Sequence, residues 1–464
     1  MSRQSVWFAV AATVSVLALA GCTSAATGPK PGGTLDADAP VTITVDAMPT
    51  SDQKEQLAAF DERVKAFHSQ YPNITVKGSE TRWNTQTFAA QLAGDTLPTT
   101  ISVPCTEIGN IIRNGQAADL TDYLTDETLP SSTLNDDQLK IAQNSDKRTF
   151  GVPTDAYGMV VFYNRDLYRQ AGLDPDKPPA TWEEVRANAK AITEATKVAG
   201  FQVATTNNHG GWMLSSMSYG FGSTVESVKG DSVKATVDNA ATAEALRFLK
   251  DLRWKDNTFA KNFLLTNEEV GKAFAAGNTG QMIGMGSDYQ FNQFVRVNKM
   301  DANKIGMGLL PQTSDGLGTL GGGAVQIVSP KASPNEIAAA LKWTKYLNFA
   351  KFTDEKAAVA QARAADAGGA VVGAPTSQLV SDKVHQQYLG WIKDHINIDR
   401  GHFEVFLKNR RTQPVIPEPP VAAQQVYATL DPVLQSVLSD RNADIPALLK
   451  DAQAQAESFI AGAG

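Results

Sequence analysis

The stretch FGVPTDAYGMVVFYNRDLYRQAGLDPDKPPATWEEV, residues 150–185, decides the fold that we predict for this chain. Its segment 159–163 (MVVFY) is apolar and rich in β-branched and aromatic residues, which predicts a strand buried on both faces. A short helix should follow and end at Gly172, and three prolines then hold the chain extended. Residues 181–184 (TWEE) match a capping box, in which Thr and Glu satisfy free helix N–H groups reciprocally. This order of elements is typical of α/β proteins.

Strands and helices also alternate on both sides of this stretch. Residues 41–45 (VTITV) and 74–76 (ITV) predict strands, and between them apolar residues recur at spacings of three and four, which predicts a helix. This β-α-β order implies a parallel pair of strands with a right-handed crossover. We predict further strands at 97–103, 281–283, 305–309 and 324–328, and helices at 85–93, 238–254, from 266, 333–349 and around 426–437.

Three phrases of the sequence together resemble a known family. They are G-V-P followed by Y-N-R-D-L-Y, A-G-L-D-P and T-W-E-E in 151–184, GQAADLTDYL in 115–124, and the segment 273–289 with its Gly-Ser and aromatic residue. The chain resembles the extracellular solute-binding proteins of bacterial ABC importers, in particular the sugar-binding branch related to maltose-binding protein. The resemblance covers nearly all of residues 41–460.

The resemblance implies a two-lobed α/β fold of the periplasmic-binding-protein type II. Each lobe should contain a mainly parallel sheet flanked by helices, with the ligand cleft between the lobes. We expect the first lobe to hold residues 41–153 and 305–350. The second lobe should hold residues 157–300 and 351–464, including the C-terminal helices.

The start of the chain has the features of an exported lipoprotein. A short basic stretch precedes the apolar run 6–20, which has the length of a signal peptide and is too short for a confident membrane span. The run ends Leu-Ala-Gly-Cys, which looks like a lipobox, so we predict a signal peptide at 1–21 and a lipid on the Cys22 sulfur. The alternative is an ordinary signal peptide followed by a chance cysteine. Residues 22–40 are small, polar and proline-containing, which predicts a flexible tether.

Charge and cysteine content exclude several classes of protein. The chain has 42 basic and 49 acidic residues, and removal of residues 1–21 leaves 41 and 49, a net charge of −8. Such a chain has no electrostatic reason to bind nucleic acid. With Cys22 lipidated, Cys105 has no partner for a disulfide, and we expect it to be a small buried residue rather than a nucleophile.

The sequence contains no convincing cofactor or metal motif. The five histidines show no ligand spacing, so we expect neither a metal nor a cofactor. Residues 316–321 (GLGTLG) formally match the dinucleotide pattern, but a strand-like run follows instead of a helix. We therefore predict a loop there.

The ligand-binding residues are implied by the resemblance. Sugars are held by aromatic faces and by amides and carboxylates that bond to hydroxyl groups. The residues at matching positions are Asp46 and Glu107 in the first lobe, Tyr157 at the hinge, Asn207, Trp212, Asp288 and Tyr289 in the second lobe, and Gly322, which lets backbone approach the ligand. The alternative is core packing for each aromatic residue and solvated surface for Asp46 and Glu107.

Two first-lobe positions depart from the family pattern. Thr99 replaces an acidic residue and Val103 replaces an aromatic one, so a first-lobe stacking residue is expected to be missing or displaced. Trp83 and Trp391 are further candidates for ligand contact, but we interpret both as packing residues.

The resemblance implies a substrate-binding lipoprotein on the outer face of the cytoplasmic membrane. It would capture a sugar or oligosaccharide by hinge closure and deliver it to the membrane subunits of an ABC permease, as a monomer and without catalysis. Two alternatives stay open: the same scaffold binding a glycerophosphodiester or a peptide, or an exported hydrolase with paired carboxylates. A phosphate-bearing ligand would need a basic residue such as Arg82 or Arg411.

Overall fold

The computed structural model describes residues 35–36, 38–84, 86–229 and 232–463. The predicted signal peptide, lipidated Cys22 and most of the tether lie outside the described residues. Within the described ranges, no helix combines the length and the apolar character that crossing a membrane requires.

The described residues form ten strands. They are β1 Val41–Val45, β2 Ile74–Gly78, β3 Thr100–Pro104, β4 Val152–Asn164, β5 Glu226–Lys229, β6 Ser232–Ala235, β7 Gln281–Met285, β8 Ile305–Leu309, β9 Thr319–Val328 and β10 Val415–Pro417.

Seventeen α-helices surround these strands in the described part of the chain. They are α1 Lys54–Gln70, α2 Phe88–Ala93, α3 Cys105–Arg113, α4 Asp136–Leu139, α5 Arg165–Gln170, α6 Trp182–Thr196, α7 His209–Phe221, α8 Ala240–Trp254, α9 Asn267–Ala275, α10 Asp288–Asn292, α11 Pro334–Thr344, α12 Ala350–Thr353, α13 Glu355–Ala367, α14 Asp382–Trp391, α15 Glu404–Asn409, α16 Ala423–Ser439 and α17 Ile445–Ala463. Short 3₁₀ turns occur at Thr121–Tyr123, Ser131–Thr133, Lys140–Ala142, Ala302–Lys304, Lys393–His395 and Arg400–Phe403, and π-helical turns at Gln293–Val297 and Lys345–Phe349.

Two long strands, β4 and β9, run side by side through both lobes, and we call them the hinge strands. They pair antiparallel, with Tyr157 opposite Gly322. The end of β9 near Val328 pairs with β3, and β3 leads through β1 to β2 in the first lobe. The end of β4 near Asn164 pairs with β7 and β8 in the second lobe. Strand β10 adds to β9 beside the crossing.

The two-lobed α/β fold is confirmed, but its sheets are mixed rather than mainly parallel. Strands β1, β2 and β3 are parallel to one another, whereas β4 pairs antiparallel with β7, β8 and β9. The reason is that the hinge strands pass through both lobes in opposite directions. Each lobe therefore contains at least one antiparallel pair next to the crossing.

Both hinge strands are longer than the sequence predicted. Strand β4 begins at Val152 rather than at residue 159, because its polar and glycine-containing first half pairs with β9. Strand β9 begins at Thr319, so the second half of the segment 316–321 is strand and not loop. A strand still follows where a dinucleotide site needs a helix, so the rejection of that motif agrees with the structure.

The predicted division into lobes needs two corrections. Strand β8, assigned to the first lobe, pairs with the second-lobe half of β4, and its Ile305 and Met307 are buried in the second-lobe core. Helices α12 and α14, assigned to the second lobe, pack on the first-lobe core through Phe352 and Tyr388. Neither correction was visible in the sequence, because a short apolar segment carries no information about which of two cores it joins.

Capping residues delimit several helices as predicted, with one exception. Thr266 and Ser333 form complete capping boxes with the glutamates three residues later. At α6, the Thr181 hydroxyl accepts the Glu184 N–H at 3.2 Å, but the Glu184 carboxylate accepts the N–H of Ala180 at 2.7 Å instead of completing the box.

We predict that Ser333→Ala lowers the free energy of unfolding by about 1 kcal/mol. The Ser333 hydroxyl accepts the Glu336 N–H at 3.4 Å, and Glu336 in turn accepts the Ser333 N–H at 2.7 Å. Urea denaturation measures the loss. Ser69→Ala, an exposed substitution at the end of α1, is the control and should stay within about 0.5 kcal/mol of the wild type. Equal effects of the two substitutions would contradict the capping role.

Candidate functional site

One face of the hinge strands carries a cluster of aromatic residues around a carboxylate. Tyr157 donates its hydroxyl hydrogen to one carboxylate oxygen of Glu418, and Tyr427 donates to the other at 2.9 Å. The ring of Trp212 meets the ring of Tyr157 edge to face, with 5.8 Å between centroids and 86° between planes. A Cβ atom on Gly322 would lie 2.3 Å from Glu418 Oε1. We call these five residues the hinge cluster.

Burial controls the ionisation of the hinge cluster. It raises the pKa of Glu418, and the hydrogen bonds from Tyr157 and Tyr427 oppose that rise. Burial, followed by the nearby Glu418 charge, raises the pKa of Tyr157 well above its ordinary value. Both tyrosines therefore remain hydroxyl donors at neutral pH, and Glu418 is the acceptor that they share.

Helix α7 brings Trp212 to this cluster through its packing against α16. A Cβ atom on Gly211 would lie 2.1 Å from the carbonyl oxygen of Tyr427, so only glycine allows this close approach of the two helices. Asp431 in α16 accepts the backbone N–H groups of Asn208 at 2.8 Å and Gly211 at 2.7 Å. These contacts fix the start of α7. Trp212 is 9% exposed, and its indole N–H interacts with the Tyr157 hydroxyl outside ordinary hydrogen-bond geometry.

Burial also affects three further carboxyl groups, two in the first lobe and one on strand β4. Burial raises the pKa of Asp46, Glu107 and Asp155, with the charge of Arg82 opposing the rise at Asp46 and that of Lys351 at Asp155. Asp155 is on β4, two residues before Tyr157. It is exposed to solvent, and the surrounding protein nevertheless raises the pKa of its carboxyl group. Of these groups, Asp155 lies close to the cluster, since it and Glu418 both act on Cys105.

Cys105 marks the point where the first lobe approaches the hinge cluster. Burial, together with the charges of Glu418 and Asp155, raises the pKa of the Cys105 thiol to about 12. A thiol of that acidity is protonated at neutral pH and is a poor nucleophile. Because both charges act on Cys105, the start of α3 lies close to the cluster.

The structure brings together three of the eight predicted ligand residues: Tyr157, Trp212 and Gly322 belong to the hinge cluster. Asp46 serves the packing of the first lobe, since its carboxylate accepts the Ser102 N–H at 2.9 Å and the Gln326 side-chain N–H at 3.3 Å. Glu107 is half-buried on α3.

The other three predicted residues lie outside the cluster. Asn207 is exposed, with φ of 58°, just before α7. Asp288 is exposed and accepts the Thr376 hydroxyl at 3.2 Å. Tyr289 is 47% exposed and donates to Glu268 at 3.4 Å.

Sequence reasoning missed Glu418 and Tyr427. Glu418 lies in the stretch 350–420, where the sequence predicts no element, and Tyr427 lies in the predicted C-terminal helix; neither belongs to a matched phrase. The one available signal was a single carboxylate in the segment VIPEPP, 415–420, where an acidic residue among prolines and apolar residues has no obvious solvent-facing role.

Neither of the two positions that depart from the family pattern, Thr99 and Val103, provides a stacking residue. The Thr99 hydroxyl accepts the Thr44 N–H at 3.0 Å, and Val103 is buried in the core. Trp83 and Trp391 are half-buried against apolar clusters, which agrees with their interpretation as packing residues.

The opposite face of the hinge strands lines a cavity of about 700 Å³, which we call the back cavity. Gly158 and Gly321 line it, and they alternate with Tyr157 and Gly322 along their strands. Arg411, the candidate for phosphate recognition, lies here and not at the hinge cluster. Among the described residues, no group of three or more His, Cys, Asp or Glu side chains is placed to hold a metal ion.

Residues 50–352 match the model of the bacterial extracellular solute-binding protein family. The chain belongs to this family. A 155-residue segment of this solute-binding protein is 30% identical to the sn-glycerol-3-phosphate-binding periplasmic protein UgpB of Agrobacterium fabrum. That segment covers 30% of this chain and 34% of the relative, so the match spans about a third of the length of the curated protein.

Solved structures resemble this solute-binding protein over most of its length. A cyclic α-maltosyl-1,6-maltose binding protein from Arthrobacter globiformis superimposes with a TM-score of 0.65 and 20% identity, over 91% of this chain and 100% of that one. UgpB from Mycobacterium tuberculosis, in complex with glycerophosphocholine, superimposes with a TM-score of 0.66 and 17% identity, over 91% and 99%. At these identities the likeness shows the fold alone.

Proposed function

We propose that this solute-binding protein captures a neutral sugar or oligosaccharide at the hinge cluster and delivers it to the permease of an ABC importer. The observation that carries the proposal is the chemistry of the site: aromatic rings and carboxylates meet where the two lobes join. It is a binding protein, and we assign it no catalytic step.

Hydroxyl groups suit these surroundings better than phosphate does. The carboxylates of Glu107, Asp155 and Glu418 can each accept hydrogen bonds from a polyol, and Trp212 supplies an aromatic ring. The same negative charges repel a phosphate group. Lys351 reduces this repulsion at Asp155.

The position of the cluster couples binding to closure of the lobes. Tyr157 and Gly322 are on the strands that cross between the lobes, Trp212 belongs to the second lobe, and Cys105 belongs to the first. A ligand that contacts both lobes is bound more tightly when they approach, so it shifts the population toward the closed state. A closed, loaded form is what a permease can distinguish from the empty one.

Calorimetric titration of the purified full chain tests this proposal. We expect binding of maltose or a longer maltooligosaccharide, and at least a tenfold weaker affinity in Trp212→Ala, which corresponds to about 1.4 kcal/mol. Trp391→Ala, on helix α14 of the first lobe, is the matched control and should bind like the wild type. Circular dichroism of each variant separates a lost contact from a lost fold.

Two outcomes would overturn the sugar proposal. One is binding of a phosphate ester, weakened by salt, with no binding of any sugar. The other is equal affinity of the Trp212→Ala variant and the wild type. Chromatography of the sugar after the titration also tests the hydrolase alternative, because smaller products would show turnover.

A glycerophosphodiester is the second candidate, and the match to UgpB favours it. The solved UgpB relative holds glycerophosphocholine, whose choline group is a cation that aromatic and acidic side chains also stabilise. Titration with glycerophosphocholine beside the sugars distinguishes the two candidates. A peptide ligand has no supporting contact among the described residues.

The membrane location belongs to this proposal as well. We infer a monomer that is held on the outer face of the cytoplasmic membrane by a lipid at Cys22, which lies outside the described residues. Mass spectrometry of the purified protein would test the lipid, since acylation adds a defined mass that Cys22→Ser abolishes.

A further inference from the structure

The back cavity contains more positive charge than the described carboxylates around it neutralise. Arg410 and Arg411 share one partner, Asp382: the Arg411 guanidinium contacts its Oδ1 atom directly, and Arg410 Nη2 lies 3.9 Å from the same atom. The Arg410 side chain is only 18% exposed. Lys140 lines the cavity from the first lobe and pairs with Asp137 at 2.8 Å. Three cations therefore share two carboxylates.

Burial and this excess positive charge shift the pKa values of neighbouring groups. Burial and the adjacent Arg411 lower the pKa of Arg410, whereas Asp382 opposes that change. Burial and the charges of Arg410 and Arg400 lower the pKa of His385 to about 4, so this histidine is neutral at physiological pH and adds no further charge. A half-buried guanidinium with a distant, shared carboxylate is the kind of group that gains most from a bound anion.

Two amide side chains in the cavity wall have unused hydrogen-bonding groups. Among the described residues, Gln378 Nε2 and Gln413 Oε1 are buried atoms without a partner. Gln413 Nε2 donates to the Leu310 carbonyl at 2.8 Å. This hydrogen bond determines the orientation of the amide and therefore the position of its oxygen. Because neighbouring protein covers both atoms, an amide must turn toward the cavity before it can contact a ligand there.

The rest of the lining is apolar, and the space is large enough for a small metabolite. Val160, Leu309 and Phe406 contribute to the wall. A volume of about 700 Å³ falls within the usual range of ligand pockets. The lining therefore combines a cationic edge with two amide residues and an uncharged floor.

We propose that the back cavity is a second ligand site, distinct from the hinge cluster, that binds a small organic anion with hydroxyl groups, such as the phosphate monoester of a polyol. Arg410 and Arg411 contact the phosphate, and the Gln378 amide turns toward the cavity to donate to it. A neutral sugar then binds at the acidic face of the hinge strands, and an anion binds at the basic face.

Titration of the full chain with glycerol 3-phosphate tests the second site, with glycerol and inorganic phosphate as partial probes. We expect glycerol 3-phosphate to bind more tightly than either partial probe, with an affinity that falls as salt is raised. The double variant Arg410→Gln/Arg411→Gln should weaken binding by about tenfold or more. Arg63→Gln, an exposed substitution on α1, is the matched control and should leave the affinity unchanged.

A second variant keeps the test decisive if the double variant fails to fold. Gln378→Ala removes a donor that has no partner in the described structure and should weaken binding by about threefold. Unchanged affinity in both variants, or no binding of glycerol 3-phosphate at all, would overturn the second site. Loss of glycerol 3-phosphate binding in Trp212→Ala but not in the arginine variant would place the anion at the hinge cluster instead. Sugar binding at the hinge cluster is measured in a separate titration. Failure of the sugar proposal would therefore not change the interpretation of the result for the second site.

Discussion

Replacement of Trp182 by alanine is expected to lower the free energy of unfolding by about 3–5 kcal/mol, the range for large-to-small substitutions of a buried aromatic residue. Trp182 is 1% exposed at the start of α6. Its ring stacks on Phe221, with 5.0 Å between centroids and 15° between planes, and meets Phe248 edge to face at 5.3 Å. The indole N–H has no partner among the described residues, so the expected loss comes from packing and from the cavity left behind.

Urea denaturation measures this loss, and Trp83→Ala provides the comparison. Trp83 is only half-buried beside a first-lobe cluster. Its substitution therefore removes the same kind of side chain from a place where water already reaches part of the ring. We expect the Trp83 substitution to cost less than half as much. Equal losses would mean that the second-lobe core is not organised around Trp182.

Glu226→Gln is expected to stabilise the protein at pH 8 by about 3 kcal/mol while leaving its stability near pH 4.5 almost unchanged. Glu226 is 5% exposed on β5. Burial raises the pKa of its carboxyl group to about 8, against the weaker opposing effect of a 3.3 Å hydrogen bond from the Val421 N–H. Its other oxygen has no partner in the described structure.

The sign follows from where the proton is bound. Above pH 4.5 the unfolded chain releases the Glu226 proton, whereas the folded protein keeps it until about pH 8. The stabilising contribution of this group is therefore complete below pH 4.5 and is lost as pH rises toward 8, by at most about 1.4 kcal/mol per pH unit. Glutamine carries no charge at any of these pH values, so the decline disappears in the variant.

Unfolding curves at pH 4.5, 6 and 8 for the wild type and the variant would show this effect as a growing difference. Other buried carboxyl groups titrate in both proteins and cancel in the comparison. Glu244→Gln on α8, an exposed substitution of the same kind, controls for the loss of a surface charge. A difference that does not change with pH would show that the pKa of Glu226 is the same in the folded and the unfolded chain.

The proposed site was predictable from the sequence only where matched phrases reach the hinge. Tyr157 lies within the stretch 150–185, and Trp212 lies in a segment where Asn, Gly and aromatic residues are mixed, so the sequence indicates both as ligand residues. Glu418 contacts Tyr157 from 261 positions further along the chain. No local pattern indicates such a contact, because side-chain spacing carries information over one or two turns of helix or a few residues of strand.

The two faces of the hinge strands illustrate the same limit. Alternation along a strand predicts that Tyr157 and Gly158 point to opposite sides. It does not tell which side faces carboxylates and which faces Arg410 and Arg411. Arg411 is a possible cleft residue by its sequence, whereas the folded chain brings it to the back cavity. The choice between a neutral and an anionic ligand therefore depends on packing between segments that are distant in the chain.

The sequence by itself determined the local elements and the family of this protein. The β-branched runs, the capping residues Ser333 and Thr266, and the phrases between residues 115 and 289 act over short range, where backbone preferences and side-chain caps dominate. Tertiary structure alone decided the length of the hinge strands, the lobe to which β8 and α14 belong, and the meeting of Glu418 with Tyr157. The physical reason is that strand pairing and burial are satisfied by whichever partner the whole fold brings near, and a short segment is compatible with several partners.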